Sequence, residues 1–277
     1  MRPNTGNIIP AGYFEANPCS PQSAGLAHWW PLIGFYATPA ALRAIPAEGG
    51  CIATSSVAYT IKSFTGGSAV ASDIRRPVAA NTDPFASAWG YVGSGVDFSN
   101  KRPFTISLWV LNLGGNNRFV FSVGSVSSSM QNLSIMFVTS TSVRFGWNAF
   151  DVDVTVPSAY GRWVHLAMSY DPGSNTVYGY CDGLQVGAKS VDAGGHTGNT
   201  TFCIGNYAVP SAGSGVWGAV CDTRVYYRRL HPSEIWNLYA PATRWQLFAS
   251  PLALRRPNIA ISAGARFAGG DFFIGGW

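Results

Sequence analysis

The stretch RWVHLAMSYDPGSNTVYGYCDGLQVG, Arg162 to Gly187, narrows the choice of fold more than any other part of the chain. Val164, Leu166, Met168 and Tyr170 alternate with Trp163, His165, Ala167 and Ser169, a period of two that suits a strand and not a helix. DPGSN (Asp171–Asn175) is a cluster of turn formers. Asp182-Gly183 is a favoured pair for a two-residue type I′ turn, which needs positive φ at both positions. LQVGAKSV returns as a third strand. The stretch therefore predicts an antiparallel meander, and YCDG reads as a structural turn.

The same pattern recurs along the chain. In FTISLWV, Phe104, Ile106, Leu108 and Val110 share one face, and Thr105, Ser107 and Trp109 the other. RFVFSVG follows the turn LGGNN, and LSIMFVTS and VRFGWNA are joined by TSTS. DVDVTVP places Val152, Val154 and Val156 inward and Asp151, Asp153 and Thr155 outward. Short strands separated by polar turns predict an antiparallel sandwich. GLAHWWPLI, residues 25–33, is an earlier strand, and residues 34–95 show only weak candidates at 56–64 and near 95–98. One helix is expected in LHPSEIWNLYAP, with His231 as cap, Pro232 at the first helical position, Glu234 in the first turn, and Ile235, Leu238 and Tyr239 as the apolar stripe.

Composition bears on partners. Hydrophobic residues make up 47% of the 277, enough for a sizeable core. Charged residues are only 11%, against about 25% in an average domain, which suits a surface packed against others. The net charge is +5, and the basic residues are arginine except Lys62, Lys101 and Lys189. Adjacent arginines occur only at Arg75-Arg76, Arg228-Arg229 and Arg255-Arg256, so no basic stripe points to nucleic acid. No apolar run approaches the roughly 20 residues of a membrane-spanning helix. The opening MRPNTGNIIPAGYF lacks an apolar signal-peptide core, so the chain is expected to stay in the cytoplasm or leave it by another route. Cys19, Cys51, Cys181, Cys203 and Cys221 show no metal-binding spacing. Cys181 and Cys221 read as small buried hydrophobes, and a Cys181–Cys203 bridge remains open.

GLAHWWPL, GYVGSGVDF, FTISLWV, RWVHLAMSYD, VYGYCDGLQVG, IGN and GAVCDTRVYYRRLHPSEIWNLY occur in this order. Together they resemble the laminin-G-like, or concanavalin-A-like, jelly-roll family. The residues carrying the match are Trp163, His165 and Ala167, then Tyr180, Asp182 and Gly183, then Gly218, Asp222, Arg224 and Tyr226, and finally Glu234-Ile235. The resemblance implies an all-β antiparallel sandwich over residues 24–240, with one short C-terminal helix, an N-terminal arm (1–23) and a C-terminal docking arm (241–277). The flanks, including PATRWQLFASP, resemble laminin-G-like proteins of tailed-bacteriophage structural genes. That resemblance implies a non-enzymatic virion component assembled in the host cytoplasm. It would be a capsid decoration, head-fibre or tail-associated protein, multi-copy or homo-oligomeric, docked on capsid or tail proteins, with host-glycan attachment layered on top. The alternative is a free lectin-like carbohydrate-binding module, calcium-dependent or not.

Candidate sites follow. Glycosidases of this fold need two carboxylates, yet the only glutamates are Glu15, Glu48 and Glu234, in no catalytic spacing, so no enzyme is expected. For a structural Ca²⁺ the best single ligand is Asp222, which reads equally as a partner of Arg224, while Asp151, Asp153, Asp171 and Asp182 read as solvated or turn residues. Trp109, Trp147, Tyr178, Tyr180 and Trp217 are candidates for stacking on a glycan, set against the reading that aromatics fill the core. His28 and His165 read as strand-face residues, and His196 as a loop residue. Arg244, Trp245, Phe248, Leu252, Leu254, Arg255, Arg256, Phe267, Phe272, Phe273 and Trp277 are the candidate partner-docking residues of the second arm, set against packing back on the chain's own sandwich.

Overall fold

The computed structural model describes residues 15–16, 19–30, 59–62, 79–81, 90–93, 96–98, 102–124, 132–191, 201–208, 214–244 and 246–249. The first half of the chain gives β1 (Glu15–Ala16), a 3-10 turn (Pro21–Ser23), β2 (Leu26–Trp30), β3 (Tyr59–Lys62), β4 (Ala79–Asn81), β5 (Gly90–Gly93), β6 (Phe104–Gly114), β7 (Arg118–Val123) and β8 (Leu133–Thr139). The second half gives β9 (Ser142–Trp147), β10 (Phe150–Thr155), β11 (Trp163–Asp171), β12 (Thr176–Cys181), β13 (Leu184–Ser190), β14 (Phe202–Ile204), β15 (Trp217–Tyr226), α1 (Pro232–Tyr239) and β16 (Phe248–Ala249).

Two antiparallel sheets face each other. One runs β10-β9-β8-β7-β14-β5-β3, the other β13-β12-β11-β6-β15-β2 with β4 also on β15. This is the expected concanavalin A-like jelly roll. The apolar parity of each strand decides the packing. Phe104, Ile106, Leu108 and Val110 of β6 and Val164, Leu166 and Met168 of β11 meet Leu133, Ile135 and Phe137 of β8 and Val143 and Phe145 of β9 in one buried core. The turn between β12 and β13 is type I′, with Asp182 at φ 50° and Gly183 at φ 79°.

The opposite face of the second sheet is not open to solvent. Leu26, Trp29, Ala167, Tyr180, Tyr226, Leu230, Ile235, Leu238 and Leu247 form a second buried cluster there, roofed by α1. The helix starts as expected: His231 caps it, and Glu234 completes a capping box with the His231 backbone N–H. Polar residues whose parity points away from the main core are therefore buried too, and several of them pair there. The Thr105 hydroxyl donates to the Arg228 carbonyl (3.0 Å) and accepts from Leu230 N–H (2.9 Å). Ser107 Oγ lies 2.9 Å from His165 Nε2.

The expected arms join the fold where they are described. Gln22 Nε2 donates to the carbonyls of Asn237 (3.1 Å) and Thr243 (2.6 Å), which ties residues on both sides of the expected domain to its helix. β1 pairs antiparallel with β16, Glu15 opposite Ala249 and Ala16 opposite Phe248. Trp245, Leu252, Leu254, Arg255, Arg256, Phe267, Phe272, Phe273 and Trp277 lie outside the described residues. The Cys181–Cys203 bridge does not form: both thiols are free, one on β12 and one on β14 of the other sheet. Burial pushes the Cys181 thiol up to about 11 and raises Cys203 as well.

Candidate functional site

The arginine-rich composition has a direct structural counterpart. Seven carboxylate side chains lie within 4 Å of an arginine, namely Asp97 with Arg102, Asp151 and Asp153 with Arg144, Asp171 with Arg229, Asp182 with Arg162, Asp222 with Arg224, and Glu234 with Arg228. The Arg144 fork holds Asp153 below its usual range, and the Arg228 fork does the same for Glu234. Asp171 is lowered despite partial desolvation, because Gly173 N–H, the Ser174 hydroxyl and Arg229 all favour its charged form.

Asp222 sits at the centre of the most heavily buried of these pairs. Arg224 Nε donates to Asp222 Oδ1 at 2.9 Å and Nη2 to Oδ2 at 2.8 Å, with the side chains only 1% and 4% exposed. Trp29 Nε1 donates to Oδ1 at 2.8 Å. Two further guanidinium hydrogens go to Gln22 Oε1 (2.7 Å) and the Arg244 carbonyl (3.1 Å). The Tyr226 hydroxyl donates to the Gln22 carbonyl at 3.0 Å. Asp222 points inward because β15 is bulged there: Cys221 opposes Trp109 and Arg224 opposes Ser107, with Asp222 itself at φ 51°. A second irregularity at Gly218 requires glycine, since a Cβ there would meet the Leu111 carbonyl oxygen. The Gly218, Asp222, Arg224, Tyr226 set thus builds a clasp that joins β2, β15, the 3-10 turn and the segment after α1. Of the two readings of Asp222, the structure displays the ion pair: arginine and tryptophan donors take its oxygens. Among the described residues no group of three or more His, Cys, Asp and Glu side chains is placed to hold a metal ion.

A family model described as the concanavalin A-like lectin/glucanases superfamily matches residues 86–236. The chain belongs to this superfamily. Among solved structures, the receptor binding domain of botulinum neurotoxin D aligns over 79% of this chain and 53% of its own, at TM-score 0.52 and 8% identity. A Trypanosoma rangeli sialidase in complex with sialic acid aligns over 78% of this chain and 32% of its own, at TM-score 0.50 and 14% identity. The Ruminococcus gnavus IT-sialidase module CBM40, bound to α2,3-sialyllactose, covers 56% of this chain and 94% of its own, at TM-score 0.43 and 12% identity. The first two likenesses show the fold alone. No curated protein matches the chain.

Within this superfamily fold, three of the five candidate glycan-stacking aromatics are interior. Trp147 is wedged edge-on between Tyr170 (5.0 Å between ring centroids) and Phe104 (5.7 Å) in the main core. Its parity with Val143 and Phe145 is the sequence signal for that position. Tyr180 is fully buried in the second cluster. Trp109 is 3% exposed and stacks on Tyr239 at 5.8 Å, with the Arg244 guanidinium 5.6 Å away. Arg244 is accordingly corrected from a partner-docking residue to one that packs on its own domain. Tyr178 and Trp217 are half-buried. Tyr178 carries the Arg229 guanidinium 4.3 Å over its ring, and a Cβ at Gly114 would lie 3.1 Å from the Trp217 ring.

The exposed aromatic among the described residues is one the sequence reading left out. Trp236 on α1 is 44% exposed, and Leu184, at the start of β13, is 62% exposed. Both border the Asp182-Gly183 turn. A Cβ on Gly183 would meet the Trp236 ring at 2.9 Å and Tyr239 at 3.0 Å, so the two rings rest directly on the turn backbone. Trp236 and Tyr239 are 5.4 Å apart. At the same turn Arg162 Nη1 donates to Asp182 Oδ2 at 2.7 Å, and Asp182 Oδ1 accepts from His165 N–H at 3.0 Å.

Neither described strand histidine is arranged as a metal ligand. His28 Nε2 lies 2.9 Å from the Tyr227 hydroxyl, and burial brings the ring down to about 4. His165 is brought down to about 3, by burial and then by the Arg224 charge. His196 lies outside the described residues.

Proposed function

We propose that this chain is a non-enzymatic, lectin-like carbohydrate-binding domain. The superfamily contains both binding and hydrolytic members, and the carboxylates separate the two. Glycoside hydrolysis needs an acid with a raised pKa and a second carboxylate about 5–9.5 Å away. Here Asp97, Asp151, Asp153, Asp171, Asp182, Asp222 and Glu234 are each engaged by arginine, and Asp153, Asp171 and Glu234 are shifted down, the wrong direction for a general acid. That engagement is the observation that carries the reading. Support of a weaker kind is that a T. rangeli sialidase solved with sialic acid shares this fold over 32% of its own length. Anchoring in a virion through the terminal arms is less favoured, because the described parts of the two arms pair with each other and are tied to the sandwich through Arg224.

The test is a printed array of hexose- and sialic acid-terminated oligosaccharides, paired with a reducing-end assay on the same sugars. Saturable binding without release of reducing ends is expected. Release of reducing ends would make the chain an enzyme and overturn the proposal.

A further inference from the structure

Resting on the carbohydrate-binding reading, we propose that the glycan site is the platform at the β12–β13 turn, with Trp236 as the stacking residue, Tyr239 behind it, Leu184 beside it, and Arg162 and Asp182 as its polar edge.

The first argument is exposure. An indole left 44% open on a helix beside a leucine left 62% open is an unfavourable use of surface unless something covers it. Trp236 lies off the apolar stripe of α1, whose Ile235 and Leu238 are buried, so helix packing does not demand a tryptophan there.

The second argument is rigidity. Tyr239 flanks the indole on one side and the Gly183 backbone lies under it. Gly183 serves twice, reaching φ 79° and leaving room for the ring. Tyr239 in turn stacks on buried Trp109, so the platform is continuous with the interior. A ring held this way loses little freedom when a ligand stacks on it.

The third argument is chemistry and size. The C–H groups on one face of a pyranose are weakly electropositive and suit the electron-rich face of an indole. Its hydroxyls seek charged donors and acceptors at the margin, which Arg162 and Asp182 supply at side-chain exposures of 36% and 24%. One indole face and one leucine fall far short of the roughly 800 Å² per partner that a stable protein interface buries, but match a single sugar ring.

The deciding experiment compares wild type, Trp236→Ala, Trp236→Phe and the exposed control Lys189→Ala on that oligosaccharide array, with thermal unfolding and sedimentation velocity run on each. The expected result is at least tenfold weaker binding for Trp236→Ala, partial retention for Trp236→Phe, no loss for Lys189→Ala, and every variant still folded in thermal unfolding. If wild type binds and Trp236→Ala binds equally well, the platform is wrong and the carbohydrate-binding reading stands. If wild type is an oligomer that Trp236→Ala converts to monomer, the patch is an interface between copies and the proposal falls. If wild type binds no sugar on an array that detects control lectins, both readings fall together.

Discussion

Asp222–Arg224 and Asp153–Arg144 are the same chemical object in two settings. Each is a forked guanidinium donating two hydrogen bonds to one carboxylate, at 2.9 and 2.8 Å in the first and 2.6 and 2.7 Å in the second. The second faces solvent across β9 and β10, with side chains 35% and 44% exposed. The first is sealed among Trp29, Gln22 and the segment after α1, with side chains only 1% and 4% exposed. In water the fork competes with hydration and contributes little. Inside, the pair is tolerable only because Trp29, Gln22 and the Arg244 carbonyl complete its hydrogen bonding. Short distances therefore say little about energetic weight; what surrounds the pair decides it.

Substitution breaks this comparison most sharply at Arg224. Arg224→Ala leaves Asp222 as an unpaired buried charge and is expected to lower stability by about 3–5 kcal/mol in urea unfolding. A loss under about 1 kcal/mol would show that the pair is not sealed. Replacing both partners, Asp222→Asn with Arg224→Met, removes the buried charge and should recover part of that loss, though Gln22 and the Arg244 carbonyl lose their guanidinium partner. Acidification gives the next effect. His165 and His28 titrate at about 3 and 4 in the folded chain, against 6.5 when unfolded. The unfolded chain then binds more protons below 6.5, so stability falls as pH drops through that value toward 4 and 3. Unfolding temperatures measured from pH 7 to pH 4 should decline, and His165→Gln should flatten the lower part of the curve. A flat wild-type profile would mean the rings are solvated. Arg144→Ala should change stability by no more than about 1 kcal/mol, less in high salt. Smallest of all, EDTA should leave the unfolding temperature unchanged; a fall would reveal a bound cation and restore the calcium reading.

The sandwich was legible wherever one strand face is apolar and the other polar, as in β6, β11 and β10. Parity tells which residues share a face, but not whether a second layer covers the polar face. Thr105, Ser107, His165 and Ser169 look like a solvated face in sequence, yet all four are buried beneath α1 and the segments around it. The same layer buries Trp109 and Tyr180 and disqualifies them as sugar-stacking residues. Asp222 was legible as a partner for Arg224, but its bulge was not, because positive φ at an aspartate leaves no periodic signature. Trp236 was the informative residue passed over. Its place off the apolar stripe of α1 was visible in the sequence, but an outward-facing aromatic on a helix reads as incidental until its neighbours are known.

The pairing of β1 with β16 carries a mechanical consequence. With Glu15 opposite Ala249 in an antiparallel ribbon, the chain before residue 15 and the chain after residue 249 leave from the same end. Tension drawn through those two flanks opens the ribbon like a zipper, one hydrogen bond at a time. The next resistance is the Gln22 tether to Asn237, Thr243 and Arg224, which is buried and must break as a unit. The long β6–β15 ladder comes under load only after that. Stretched from its flanks, the molecule yields in stages from the outside inward, and the two-residue ribbon acts as its fuse.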